Sequence, residues 1–267
     1  MKRIIQIISL LCLFIVAQAA ASLATLFLFN IPALFSQGIF DMNILVTSAW
    51  AMGFSLFLSC IFCIGGMMPL HAIDYERLLP NGNREKSFGY TLLLMLPSIF
   101  LINLFCESLS LEDINKDIFS LLMYNPLGVA SIVLFGPLAE ELIFRMGIQT
   151  GLVKAGLSPL QAIMAGALIF GVIHLNPAQI PGAALFGLIL GWLYWRSETI
   201  WIPVAAHVMN NLTGVALVWL TGNTDQTLAE LCGGTWQAVA CATLSAILFV
   251  WAFRKLQRIF QEDKQSS

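Results

Sequence analysis

The chain has 267 residues, of which 58% are hydrophobic and only 10% are charged, and its formal net charge is −2. Ordinary soluble domains carry about 25% charged residues, so this composition excludes a soluble enzyme and indicates an integral membrane protein. The near-zero net charge excludes the basic character that nucleic-acid binding requires. The expected partners are therefore the lipid bilayer and molecules anchored in it.

Eight apolar runs follow one another along the chain, and each is predicted to be a helix because lipid offers no partner to unpaired backbone groups. No internal repeat and no linker divides them, so we expect a single integral membrane domain over residues 1–267. The expected fold is all-α and polytopic, with about eight transmembrane helices. The runs fall at about residues 4–29, 43–65, 88–105, 127–145, 159–174, 182–195, 201–220 and 235–253.

The first run has two interpretations. Residues 1–22 have the basic start, apolar stretch and small-residue end of a cleavable signal peptide. The apolar sequence continues through residues 23–29, beyond the core of a normal signal peptide, which favours a retained helix. The sequence leaves open whether residues 1–22 are cleaved.

The distribution of basic residues predicts how the chain lies in the membrane. If the N-terminus is cytoplasmic, every lysine and arginine except Lys116 falls in a cytoplasmic segment. Lys116 lies among Glu112, Asp113 and Asp117, on the opposite side. We therefore expect both termini in the cytoplasm, and the compact length suggests a multi-pass protein of a bacterial inner membrane.

Three ionisable residues lie together in the fourth run, in the sequence FGPLAEELIFR. A charge at the centre of a bilayer costs at least about 2.5–3.5 kcal/mol, so such residues either pair or serve a function. Glu141 and Arg145 are four residues apart on one helix face, which predicts a structural ion pair. Glu140 is rotated by about 100° from Glu141, so the pair leaves its carboxylate available.

Two further runs contribute polar side chains. The fifth run ends with Phe170 and His174, and the seventh contains His207 and Asn211, which are four residues apart and share a helix face. Each of these groups alone is also typical of a hydrogen bond between membrane helices. Together with an unpaired Glu140, in a chain with few such groups, they indicate a site with a chemical function.

In this order, the motifs Glu-Glu-x-x-x-Arg, Phe-x-x-x-His and His-x-x-x-Asn resemble those of the CPBP intramembrane protease family. That family includes the type II CAAX prenyl endopeptidases and the bacteriocin-processing or abortive-infection membrane proteins. The resemblance covers about residues 126–220, a catalytic core of four helices, and implies hydrolysis of a peptide bond in a membrane-anchored peptide or protein. The resemblance implies that Glu140 and His174 activate water and that His207 and Asn211 face the oxyanion. Glu141, Arg145 and Phe170 belong to the same motifs, and the resemblance also implies that Glu141 is catalytic.

The resemblance leaves the type of catalysis open. A glutamate mechanism without a cofactor is favoured, and the alternative is a zinc ion held by Glu140, His174 and His207. The chain lacks the H-E-x-x-H motif, and these three candidates lie on separate helices. Two other functions are also compatible with the sequence: a proton- or ion-coupled transporter, because buried Glu and His mark ion pathways, and a non-catalytic immunity or scaffold protein.

The depth of each polar residue in the membrane predicts an unusual pair of helices. Glu140, His174 and His207 can meet only if the fourth helix continues past Arg145 through residues 146–153, so that the fifth helix begins below the membrane. The sixth run, residues 182–195, spans about 21 Å, against about 30 Å of hydrocarbon. We therefore predict that the fifth and sixth helices form a hairpin that crosses only partially, with a turn at residues 175–182 inside the protein and a cleft reached from the cytoplasmic half.

Overall fold

Eight long helices form the architecture of the computed structural model, which describes residues 2–79, 85–223 and 226–266. The described residues contain no β-strand, so the predicted all-α class is confirmed. Short helices at Ile44–Thr47, Tyr75–Leu78, Lys116–Leu122 and Leu228–Leu231 lie in the connections. The long helices are α1 (Lys2–Gln37), α2 (Ala49–Met67), α3 (Glu85–Leu109), α4 (Pro126–Lys154), α5 (Pro159–Val172), α6 (Gln179–Ser197), α7 (Trp201–Thr221) and α8 (Thr235–Ser266).

Each predicted run corresponds to one of these helices, but the helices differ in their fitness to cross a membrane. In the described part of the chain, six are long and apolar enough to do so, namely α1, α2, α3, α4, α7 and α8. Helix α5 has 14 residues, about 21 Å, which is shorter than a hydrocarbon core of about 30 Å. The fold is thus a polytopic membrane protein in which α5 is too short to cross. The predicted length of the sixth helix is wrong, because α6 has 19 residues, or about 28 Å, and continues beyond the apolar run at both ends. The partial crossing of the hairpin therefore stays a prediction for α6.

Several helix ends differ from the apolar runs. Helix α4 continues to Lys154, as the depth argument predicted, and α8 continues through polar residues to Ser266. Helix α2 begins at Ala49, later than predicted, because Ser48 is extended and its hydroxyl accepts a hydrogen bond from the Ala51 N–H. Hydropathy therefore located the helices, whereas capping and packing set their ends.

Helix α4 is not a regular α-helix. Its segments Ser131–Phe135 and Leu142–Gln149 are π-helical and flank a single α-helical stretch, Gly136–Glu141. The Gly136 N–H donates to the Ser131 carbonyl, five residues earlier. Such wide turns are rare and frequently occur at functional sites. The motif glutamates lie at the end of the α-helical stretch, between the two wide segments.

Small residues bring α5 and α6 into close contact. A Cβ atom at Gly171 would lie 2.9 Å from the Ile180 carbonyl oxygen and 2.8 Å from the Ala184 Cβ. A Cβ atom at Gly187 would lie 3.0 Å from the Ala167 Cα. Glycine and alanine at these positions let the two backbones approach, as in other helix pairs of membrane proteins.

The turn between α5 and α6 is bonded to the segment that follows α3. The Asn176 side chain is fully buried, and its amide donates to the Asp113 carboxylate at 2.7 Å. Its carbonyl oxygen accepts from the Ile114 N–H at 3.3 Å, while the Ala178 N–H donates to the Glu112 carbonyl at 3.2 Å. The prediction that the turn lies inside the protein holds for Asn176 alone, because Leu175 and Pro177 beside it are exposed at the end of the bundle that carries these acidic residues.

Contacts between the loops divide the bundle into two ends. At the end that we call basic, the Gln6 side chain donates to the Leu70 carbonyl and the Ile200 N–H donates to the Arg77 carbonyl. The Arg77 guanidinium also lies 4.5 Å above the Tyr194 ring. At the other end, which we call acidic, the Leu228 N–H donates to the Glu107 carboxylate. Arg84, which was used to predict the orientation, lies outside the described residues, and the orientation stays a prediction.

A packed hydrophobic cluster fills the basic end, and we call it the basic-end core. All residues from Leu142 to Gln149 are buried, so this part of α4 lies entirely within it. Helix α1 contributes Leu10 and Phe14, so loss of residues 1–22 would remove part of the core. Its members include Leu10, Met67, Phe144, Met146, Ile148, Phe170, Tyr194 and Ile200.

The α5–α6 contact gives a prediction about stability. We expect Gly171→Ala and Gly187→Ala each to lower the free energy of unfolding by about 1–3 kcal/mol, because the added methyl group meets backbone atoms that cannot move aside. Thermal unfolding in detergent measures the effect. The matched control is Gly65→Ala in α2, where a Cβ atom meets nothing within 4 Å; equal or higher stability of the α5–α6 variants would contradict the close contact.

Candidate active site

A fully buried carboxylate connects two of the motifs. Glu141 Oε2 accepts a hydrogen bond from Arg145 Nε at 2.9 Å, which confirms the predicted ion pair. Glu141 Oε1 lies 2.9 Å from His207 Nδ1 and accepts a hydrogen bond from it. The second bond was not predicted, and it ties α4 to α7. Because both oxygens are bonded and the side chain has no exposure, Glu141 does not face a cavity.

An aromatic ring lies between the three motifs. The Arg145 guanidinium carbon lies 4.7 Å from the centroid of the Phe170 ring, in a cation–π contact. The same ring meets His174 and His207 edge to face, with centroids 5.0 and 5.8 Å apart. Phe170 thus supports both imidazoles from beneath and covers the ion pair, which fits its predicted supporting position.

The His174 ring is oriented by its own helix. Its Nδ1 lies 2.7 Å from the Phe170 carbonyl oxygen, which can only accept, so Nδ1 carries the proton. In the neutral ring, Nε2 is then a hydrogen-bond acceptor. His174 lines the cavities described below, so this acceptor is placed where a water molecule or a substrate can be reached.

The Asn211 amide is held by an unusual backbone acceptor in α4. Its Nδ2 donates to the Ile132 carbonyl at 2.8 Å, and its Oδ1 accepts from the Asn210 amide at 3.0 Å. In the five-residue pattern of this π-helical segment, the donor to Ile132 would be residue 137, but Pro137 has no N–H. The carbonyl is therefore open to Asn211, and one N–H of the Asn211 amide remains for another acceptor.

Glu140 faces a different side of α4 from the ion pair, although both glutamates lie beside the His207 ring. Its side chain is 24% exposed, and its Oε2 lies 3.8 Å from His207 Nε2. A Cβ atom at Gly136, one turn earlier, would lie 2.9 Å from the Ser131 carbonyl oxygen and 4.0 Å from Glu140 Oε1. Glycine at that position therefore keeps the space beside the carboxylate open.

Two cavities meet at these residues. Both are lined by Glu140, His174, Ile132 and Asn211. The larger, which we call the acidic-end cavity, has a volume of about 650 Å³, is also lined by His207, and lies between α3, α6 and α7. The smaller, which we call the lateral cavity, has a volume of about 310 Å³ and lies against α1 and α2. The structure thus brings four of the predicted residues, Glu140, His174, His207 and Asn211, to one place, and leaves Glu141 behind His207.

The acidic-end cavity differs from the expected cleft in the end of the bundle that it reaches, while the cytoplasmic side of the cleft stays a prediction. We expected access from the end that carries the basic residues. The acidic-end cavity instead extends to Glu107, Thr221 and Leu228, at the acidic end. The physical reason is the basic-end core, which fills the space on the other side of α4 with large side chains.

The donor atoms do not decide between the glutamate mechanism and the zinc alternative. Within residues 2–79, 85–223 and 226–266, no three His, Cys, Asp or Glu side chains are already close enough together to hold a metal ion. The Nδ1 atoms of His174 and His207 are both bonded within the protein and their Nε2 atoms are available, which is also how metal-ligating histidines are commonly held. The type of catalysis therefore stays a prediction, and no mechanistic step is assigned to a metal.

Sequence reasoning missed two groups that shape the site. These are the Ile132 carbonyl, which holds Asn211, and Gly136, which lies beside Glu140. Asn210 was recognised as a polar residue of the seventh run, but its bond to Asn211 was not predicted. Pro137 was a usable signal, because a proline inside a helix always leaves a carbonyl without its backbone donor. No feature of the sequence indicates that Glu141 accepts hydrogen bonds from two partners, because the second bond depends on how α7 packs against α4.

The buried carboxylate and its exposed neighbour are predicted to differ in their effect on stability. Glu141→Gln leaves Arg145 without its counter-ion in a site that excludes water, so we expect a loss of about 3–5 kcal/mol. Glu140→Gln changes a partly exposed group and is expected to alter stability by about 0.5 kcal/mol or less. Reversible unfolding in mixed micelles compares the two isosteric variants. Equal losses would show that the ion pair does not hold this region together.

Comparison with known proteins links this site to membrane peptidases. Residues 123–213 match the family model described as type II CAAX prenyl endopeptidase Rce1-like, a range that includes every motif residue. The chain is also 26% identical over 167 residues to the "Putative membrane peptidase YdiL" of Bacillus subtilis (strain 168). That match covers 58% of this chain and 66% of the relative, just under two thirds of its length. No solved structure matches the chain. These findings support a membrane protease in general and confirm that the chain is similar to the CPBP intramembrane proteases.

Proposed function

We propose that this protein is an intramembrane endopeptidase that hydrolyses a peptide bond with a water molecule activated by Glu140 and His174. The observation that carries the proposal is the separation of the two adjacent glutamates. Glu141 is buried and bonded on both oxygens, whereas Glu140 is exposed to a cavity that also presents two imidazoles and an amide. If both glutamates only stabilised the fold, Glu140 would not need to face a cavity while Glu141 is buried.

The proposed general base is Glu140. A water molecule has two protons to donate, and the Glu140 carboxylate and the unprotonated Nε2 of His174 are two acceptors on the wall of the same cavity. A water bound by both directs its lone pairs away from them, towards a substrate carbonyl carbon. Transfer of one proton to Glu140 as the oxygen attacks is general-base catalysis, which typically contributes a factor of about 10²–10⁴ to the rate.

The proposed oxyanion stabilisers are His207 and Asn211. Asn211 keeps one amide N–H after donating to Ile132, and a neutral amide donor of this kind is worth a factor of about 10²–10³ in other hydrolases. His207 donates from Nδ1 to Glu141, so its Nε2 is the atom presented to the cavity. When protonated, Nε2 can donate a hydrogen bond to the oxyanion. The proton that Glu140 took from the water then passes to the leaving amine, which returns Glu140 to the carboxylate.

In this mechanism Glu141 and Arg145 are positioning residues. Glu141 fixes the tautomer and the direction of the His207 ring, and Arg145 keeps Glu141 ionised in an apolar environment. The arrangement resembles the logic of other hydrolases, in which a buried carboxylate orients a catalytic imidazole. We therefore propose a supporting function for Glu141 and reserve the catalytic roles for Glu140, His174, His207 and Asn211.

The proposed substrate is a peptide or protein that is anchored in the same bilayer. Both cavities reach the polar residues, which lie within the candidate membrane spans α4 and α7. A substrate must therefore enter the membrane region of the protein to be cleaved. The predicted multi-pass location in a bacterial inner membrane is part of this proposal. Prenylation of the substrate is not included in it, because no feature of the described residues identifies the anchor.

The decisive experiment replaces the proposed base. Membranes from cells that produce the native protein, Glu140→Gln or Glu112→Gln are compared by mass spectrometry of new peptide termini. We expect a set of termini that disappears with Glu140→Gln, because the amide cannot take a proton from water. Glu112→Gln is the matched control, since it makes the same chemical change on an exposed residue outside both cavities.

The abundance and thermal stability of each variant are measured in parallel. If Glu140→Gln is folded and the peptide termini are unchanged, the protease proposal is rejected. A transporter or a scaffold protein would give that result, and the transporter would additionally lose a proton- or ion-dependent flux.

Removal of metal ions tests the type of catalysis. We expect cleavage in isolated membranes to continue unchanged after treatment with a zinc chelator such as 1,10-phenanthroline, because the proposed mechanism uses only side chains. Cleavage that stops with chelation and returns with added zinc would favour the metal alternative. A metalloprotease of known chelator sensitivity, treated in the same membranes, is the control for effective removal.

A further inference from the structure

We propose that the scissile segment of the substrate enters through the acidic-end cavity, from the extracytoplasmic side of the membrane. The substrates would then be membrane-anchored peptides or proteins whose cleaved segment has been exported. This inference rests on the proposed function for the identity of the reaction. Its evidence is separate, because it concerns which end of the bundle is open and which is closed.

The walls of the acidic-end cavity lie in one half of the bundle. On α7 they extend from His207 to Thr221, fourteen residues or about 21 Å along the helix. On α3 they include Ile99 to Glu107, the C-terminal part of that helix. Helix α6 contributes residues near its N-terminus, including Gly182. Each of these helix segments points towards the acidic end, and the cavity reaches the connections beyond them.

Hydrogen bonds hold the rim of the cavity in place. The Glu107 carboxylate accepts the Leu228 N–H with both oxygens, at 2.9 and 3.1 Å, and fixes the segment after α7 beside the end of α3. Asp113 holds the α5–α6 turn through Asn176 at 2.7 Å. These bonds use acidic side chains to keep the opening in shape, so the entrance is a defined passage lined by polar groups.

The length of the passage fits an extended peptide. A chain in an extended conformation advances about 3.3 Å per residue, so about six residues span the 21 Å between the end of α7 and His207. A peptide of that length could place its bond beside Glu140 while the rest of the substrate remains outside. The lateral cavity reaches the same residues from the side of α1 and α2, and it offers space for the membrane anchor of the substrate.

Among the described residues, a packed core fills the basic end. Residues Leu142 to Gln149 follow the glutamates directly and are all buried. Leu10, Met67 and Tyr194 belong to the basic-end core together with this segment. Although His207 lies only six residues from the start of α7, this core separates it from the loops at the basic end. Access from there would require the core to come apart.

The distribution of charge assigns these two ends to compartments. Except for Lys116, the basic residues that the structure describes lie at the basic end or in segments that continue from it. Positively charged loops stay in the cytoplasm, so the acidic end is placed outside. The opening of the cavity and the charge bias are independent features of the chain, and together they determine the side from which a substrate arrives.

A native cysteine makes the proposal testable. Cys106 is a free thiol that lines the acidic-end cavity, and Cys232 is a free thiol outside it at the same end. Ala155 is exposed after α4, at the basic end, and Ala155→Cys introduces a reporter there. Intact cells producing the Ala155→Cys chain are treated with a membrane-impermeant maleimide, and the modified cysteines are identified by mass spectrometry. A second sample is permeabilised before treatment.

We expect Cys106 and Cys232 to be modified in intact cells, and the thiol at position 155 to be modified after permeabilisation alone. Modification at position 155 in intact cells would overturn the orientation. Modification of Cys232 without Cys106 would overturn the open passage. The labelling does not depend on hydrolysis. If the Glu140→Gln variant keeps its activity, the protease proposal fails and the labelling result still stands. If the labelling pattern is not found, the proposed entry route fails and the protease proposal still stands.

Discussion

The bond network of Arg145, Glu141 and His207 is the constraint on which the rest of the site depends. An arginine in an apolar bundle requires a counter-ion, and Glu141 supplies it four residues away on the same helix. The second oxygen of that carboxylate then orients an imidazole from α7. One buried charge pair thereby fixes the position of α7 against α4 and leaves Glu140, the adjacent residue, on the side that faces the cavity.

The irregular geometry of α4 adds a second connection to α7. Pro137 leaves the Ile132 carbonyl without a backbone donor, and the wide segment before it presents that carbonyl to the Asn211 amide. His207 and Asn211, one turn apart on α7, are thus each bonded to α4 by a different physical cause. The first bond follows from a buried charge and the second from a missing N–H.

The packing of the two ends of the bundle gives the site its direction. Large side chains close the basic end, while small and polar residues on α3, α6 and α7 leave the other side open. The close contact between α5 and α6 at Gly171 and Gly187 positions His174 within this space, because it lets the short hairpin fold back beneath the segment after α3. Access and chemistry are therefore set by different parts of the chain.

The sequence by itself determined the class of the fold, the approximate location of all eight helices, the ion pair and the set of polar residues, because hydropathy and helical spacing are local properties. It also indicated the family through three short motifs. The tertiary structure alone decided that Glu141 holds His207, that Asn211 finds a carbonyl freed by Pro137, and that the cavity opens at the acidic end. These features depend on contacts between residues far apart in the chain and on which volumes the side chains fill, and neither the spacing nor the composition of the sequence records them.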